Sequence, residues 1–85
     1  MAEEKIGVVT HYFAKIGVAA VRITAGELRA GETVHFVGHT SDFTQRVESM
    51  QVEHETVEVA RPGDTIGMKV AEHAREHDEM YKVRD

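Results

Sequence analysis

The sequence predicts an all-β fold, a small closed β-barrel of six to seven antiparallel strands. Three observations lead there. Apolar and β-branched residues alternate with polar ones in short runs, at period two rather than at helical spacing. The runs recur at roughly 8–12 residue intervals, the spacing of small sandwiches and barrels. Gly-containing turns separate them, at Ala25-Gly26, Ala30-Gly31 and Pro62-Gly63. Closure follows from size: an open sheet in a chain of 85 residues would leave two long unpaired edges, which a barrel removes.

Residues 1–4 are expected to be a flexible N-terminus, and residues 5–85 a single domain. Lys5–Tyr12 (KIGVVTHY) forms the first strand, with Ile6, Val8, Thr10 and Tyr12 on one face. Ile16–Thr24 forms the second. Leu28 lies between two turns. Thr33–Val37 is the third strand, with Val34 and Phe36 on one face, and Gly38–Asp42 is a polar loop. Phe43–Val52 reads as one long strand near an edge. Thr56–Val59 is short, and Arg61-Pro62-Gly63-Asp64 is a turn containing the only proline. Thr65–Ala71 follows. The polar segment Glu72–Glu79 is a short helix or an irregular link, and Met80–Val83 closes the fold.

Composition narrows the function classes. A chain of this size buries only about 60% of its unfolded surface, which leaves no room for an enclosed catalytic cavity with its supporting shell. Cys is absent, so there is no disulfide, no thiolate nucleophile and no Cys-containing zinc site. That composition suits a reducing cytoplasm. The acidic start Met1–Lys5 lacks the pattern of a secretory leader, and no apolar stretch is long enough to span a membrane. Net charge is −5. Residues 43–85 carry ten Asp/Glu against six Lys/Arg, and residues 1–42 five against four. Phosphate backbones are bound mainly through Lys and Arg, so the chain as a whole repels nucleic acid.

Six histidines raise the question of a metal. His73-Ala74-Arg75-Glu76-His77 matches a His-x-x-Glu-His pattern, which on a helix would put two imidazoles and a carboxylate on one face. Only eight residues follow His77, no second long helix exists to supply a third ligand, and polar neighbours mark a solvated surface. His39-Thr40-Ser41-Asp42 places Ser, His and Asp side by side, but adjacent turn residues do not form a proton relay. No phosphate-binding Gly loop occurs. No catalytic residue, cofactor or metal site is assigned, and the chain is expected not to be an enzyme. Tyr12, Phe13 and Lys15, and the aromatic Phe43 after its polar loop, have the composition of a stacking surface, although plugging the barrel ends is the commoner use of so few aromatics.

The residues Arg22-Ile23-Thr24-Ala25-Gly26-Glu27-Leu28-Arg29-Ala30-Gly31-Glu32-Thr33-Val34 resemble the second domain of translational GTPases of the elongation factor Tu type, whose hallmark is Gly-x-Leu-x-x-Gly-Asp/Glu between two strands. Ala60-Arg61-Pro62-Gly63-Asp64-Thr65-Ile66-Gly67-Met68 is similar to that domain's late Ala-x-x-Gly-Asp-x-Val-Gly-Leu stretch. Val21 stands where elongation factors often have Gly. Val9–Ile16 and Gly38–Gln51 look like small stand-alone elongation factor-like proteins, and similar barrels end some collagenase-like peptidases. In those relatives Arg-Glu-Gly-Asp precedes the last strand, where this chain has Arg75-Glu76-His77-Asp78; the resemblance thus puts His77 in a turn. It implies an elongation factor Tu domain 2-like barrel and a non-catalytic binding role at the ribosome or tRNA. No GTP binding is carried over, because the GTPase domain is missing. The alternative is an accessory domain that binds a protein partner, a separately encoded collagenase-like enzyme. The expected binding surface is His11, Tyr12, Phe13, Lys15, His39, Thr40, Asp42, Phe43 and Gln45.

Overall fold

The computed structural model describes residues 2–84. It contains ten strands: β1 (Ala2–Phe13), β2 (Val18–Ile23), β3 (Leu28–Arg29), β4 (Thr33–Val37), β5 (Asp42–Arg46), β6 (Met50–Val52), β7 (Glu55–Val57), β8 (Val59–Ala60), β9 (Thr65–Lys69) and β10 (Glu79–Arg84). Eight form one antiparallel sheet in the order β5-β4-β10-β1-β2-β9-β6-β7, and β3 pairs with β8. There is no helix among the described residues. The all-β prediction therefore stands, with more and shorter strands than the six to seven expected.

The extra strands have a local cause. Phe43–Val52 does not run as one strand. Val47 and Met50 are both fully buried, and two residues three apart cannot share a face at period two. The chain bends between them, giving β5 and β6. Thr56–Val59 likewise splits into β7 and β8, and Leu28 pairs with Ala60 to make β3.

Strand β1 departs from simple alternation in the same way. Its register shifts between Lys5 and Gly7 and again between Val9 and His11. These bulges bring Ile6 and Val9 into the core instead of the predicted Ile6, Val8, Thr10 and Tyr12 row. The first described residues are also paired: Ala2, Glu3 and Glu4, expected above as a flexible end, lie opposite Arg84, Val83 and Lys82.

One core serves every part of the sheet. Ile6, Ile23, Leu28, Phe36, Met50, Ile66 and Met80 are each essentially inaccessible and belong to a single cluster. A flat sheet has two faces and cannot do this, so the strands curl around the cluster. Backbone pairing nevertheless does not close the ring: β5 and β7 are the ends of the ladder. The gap between β5 and the end of β9 is bridged by a side chain. The Gln45 amide donates to the Lys69 carbonyl at 2.9 Å and accepts from the Ala71 N–H at 2.7 Å.

The segment Glu72–Asp78 is irregular rather than helical. His77 has φ +73°, in the left-handed region, which places it in a turn. Its N–H donates to the Val9 carbonyl at 2.8 Å, and Val9 N–H donates to the Asp78 carbonyl at 2.8 Å, so the turn is pinned beside the second β1 bulge.

Candidate functional site

The two predicted loops flank one segment but do not merge into one uniform surface. On one side the Tyr12 ring stacks on His73 at 4.3 Å, and Val70 N–H donates to the Gly17 carbonyl at 3.0 Å. On the other, the Ser41 hydroxyl donates to the His73 carbonyl at 3.5 Å. The connection between β9 and β10 is thus the common support.

Individual residues divide sharply in availability. His11 and Phe13 are exposed and touch edge-to-face, with centroids 4.5 Å apart, and His11 Nδ1 is 3.3 Å from Glu76. Lys15, His39 and Thr40 are exposed in turns. Phe43 is only 6% exposed and stacks on Phe36 at 5.0 Å, so this member of the expected surface is a core residue. Its position in β5, opposite Phe36 in β4, turns it inward. Gln45 is occupied by the bridge to β9. Asp42 is held by His35.

That last contact belongs to an outer face where polar groups satisfy one another. The His35 ring lies between two carboxylates: Nδ1 is 3.0 Å from both Glu3 oxygens and Nε2 is 2.5 Å from Asp42. An imidazolium donates to both sides at once, so the hydrogen bond to Asp42, then that to Glu3, raises the His35 pKa. Next to it, Lys5 and the Tyr81 hydroxyl donate to Glu79 at 2.8 and 2.9 Å. The Glu79 carboxyl is lowered by its hydrogen bond from Lys5, and Lys5 is raised by the same bond. Arg84 pairs with Glu4 at 2.7 Å. Lys82, nearly buried, donates to the Glu27 carbonyl at 2.6 Å and lies 3.6 Å from Glu32. No buried side-chain polar atom lacks a partner among the described residues.

The zinc-like pattern is not assembled. Without a helix, His73 and His77 do not share a face, and the described residues contain no group of three His, Cys, Asp or Glu placed to hold a metal. No helix among them is long and apolar enough to cross a membrane.

The outer face of β2 and β9 carries a groove of about 530 Å³ that the sequence reading did not single out. Its floor is β2 and β9, through Val18, Ala20 and Gly67. One wall is the β1–β2 tip with Phe13 and Ile16; the other is the β6–β7 hairpin with Gln51, Glu53 and His54. Phe13 and Ile16 are 45% and 62% exposed, the large hydrophobics left outside the core among the described residues. Two sequence signals point to this groove: Ile16 is a large apolar residue between Lys15 and Gly17, and residues 47–58 contain four Glu but no Lys or Arg.

The described residues thus form a curled antiparallel sheet with an exposed groove on its surface. Residues 17–77 match the family model described as Elongation factor Tu domain 2, and the chain belongs to that family. Relatives of the chain among curated proteins and solved structures carry protease, collagenase and peptidase names. The C-terminal domain of a Geobacillus thermoleovorans protein named as a U32 peptidase superposes in two crystal structures. One, the selenomethionine variant, has TM-score 0.85 and 29% identity, covering 91% of this chain and 96% of that domain. The other has TM-score 0.88 and 28% identity, covering 95% and 93%. An uncharacterized protease of Methanocaldococcus jannaschii is 32% identical over 82 residues, which is 95% of this chain and 20% of that protein. A collagenase of Porphyromonas gingivalis is 38% identical over 72 residues, 84% of this chain and 20% of that protein. The chain spans about a fifth of these curated relatives.

Proposed function

We propose that the chain is a non-catalytic accessory domain that binds a U32-family peptidase-like body through protein–protein contacts. The observation that carries this reading is its likeness, over nearly its whole length, to the C-terminal domain of the Geobacillus thermoleovorans protein named as a U32 peptidase. The relatives named protease and collagenase extend well beyond the matched region, so their activity has ample chain in which to reside. We read the curled sheet as the family's barrel, with Gln45 standing in for missing ladder bonds between β5 and β9, and place the protein in the cytoplasm on its lack of cysteine.

The ribosome or tRNA role fits less well. The net charge of −5 opposes binding to a phosphate backbone, and the relatives support the peptidase setting instead. The test is size-exclusion chromatography of the purified chain mixed with a U32-family protein from the same organism, expressed without its own β-domain. Co-elution as a stoichiometric complex is expected. Separate elution, together with co-sedimentation of the chain with ribosomes in low salt, would return the translation reading.

A further inference from the structure

We infer that the groove between the β1–β2 tip and the β6–β7 hairpin docks a protein segment bearing an apolar side chain beside Lys or Arg. The inference rests on the accessory-domain reading and gives it a surface and a partner chemistry.

Four features converge there. The tip presents Phe13 and Ile16 to solvent, yet the turn is already satisfied by its backbone: Ile16 and Gly17 N–H both donate to the Phe13 carbonyl, at 3.2 and 2.9 Å. Nothing within the chain asks for an apolar residue at Ile16. The floor is kept low by the paired row Ala20–Gly67–Gln51. A Cβ at Gly67 would meet only Val18, at an ordinary 3.6 Å, so internal packing does not require glycine at a position where it weakens a strand. Its effect is to leave room above the sheet.

The third feature is backbone strain. Glu53 and His54 form the two-residue turn of the β6–β7 hairpin with φ of +50° and +68°, where Asn-Gly would be the relaxed choice. Strained residues kept at a groove wall point to use of their side chains. The fourth is charge. Glu53 lines this wall, within a 47–58 stretch that carries four Glu and no Lys or Arg, so the wall favours a cation and opposes both nucleic-acid phosphate and the same wall of a second copy. Lys69, at the other end of the floor, sets the polarity. The basic residues of the segment lie toward the hairpin, and its apolar side chain lies between Phe13 and Ile16.

The test is isothermal titration of the same U32-family body into the wild-type chain and into Gly67→Val. The valine fits the strand but fills the groove, so the melting temperature should stay the same or rise while affinity falls at least tenfold. Glu53→Lys with Glu55→Lys should weaken binding several-fold at low salt and flatten its salt dependence. Equal affinity for wild type and Gly67→Val overturns the groove and leaves the accessory reading intact. No binding by wild type overturns both. Self-association or tRNA binding that Gly67→Val abolishes would assign the groove to a second copy or to RNA and overturn the inference.

Discussion

The β4–β10–β1 face and the β2–β9–β6 face belong to one sheet but are finished differently. On the first, charged groups find partners within the chain: His35 with Glu3 and Asp42, Lys5 with Glu79, Arg84 with Glu4. Buried Lys82 reaches the Glu27 carbonyl, and Gly38 leaves space for the buried Asp78 carboxylate. On the second, Phe13 and Ile16 are exposed, a strand glycine is not needed for packing, and a turn is held in a costly conformation. A surface that satisfies itself is scaffold; one that carries unbalanced costs is where a partner is to be sought.

Substitutions should expose this contrast. The largest effect belongs to the core under the scaffold face. Phe36→Ala removes a fully buried ring stacked on Phe43 and should cost about 3–5 kcal/mol, enough to unfold much of a marginal domain; urea denaturation measures it. Next, the two glycines should behave oppositely. A Cβ at Gly38 would overlap the Asp78 carboxylate, which is pinned by the Arg75 N–H at 2.8 Å, so Gly38→Ala should lose about 1–3 kcal/mol. Gly67→Val should lose nothing. Equal losses at the two positions would remove the distinction between the faces.

A third substitution acts on the groove wall. Replacing Glu53-His54 by Asn-Gly relaxes two left-handed residues and should gain about 1–2 kcal/mol, read as a rise in melting temperature. No gain would mean that the turn is not a source of strain.

The smallest effect is a pH dependence on the scaffold face. The folded pKa of His35 lies above its usual 6.5, because Asp42 and Glu3 hold the charged ring. The stabilisation is therefore fully present below about pH 6.5 and lost as pH rises through the folded value. Asp42 is largely exposed, so the contribution should be about 1 kcal/mol or less. Titrating the His35 ring by NMR locates the folded value, and His35→Gln should flatten that part of the stability profile.

Much of the fold was legible because local chemistry and tertiary packing agree. Val34 and Phe36 point inward as alternation requires, and the glycines at 26, 31 and 63 take positive φ in turns. Where they disagree, packing decides. The bulges of β1 replace Val8 by Val9 in the core, and burial of both Val47 and Met50 breaks a run that alternates well as sequence. Ladder closure depends on how far the sheet coils, which no local pattern encodes; Gln45 looks like a polar strand residue until it is seen to bridge two backbones. The groove was hidden for the same reason. Ile16, Gly67 and Glu53 lie in three separate segments, and only strand order brings them together. Phe43 shows the converse: an aromatic after a polar loop resembles a contact residue, yet pairing opposite Phe36 makes it core.

The most direct test of the contrast is an amide NMR titration of the labelled wild-type chain with the U32-family body. Shifts confined to the β1–β2 tip, the β6–β7 hairpin and β9 are the predicted result. Shifts centred on His35, Tyr81 and β10, with the groove unmoved, would contradict it.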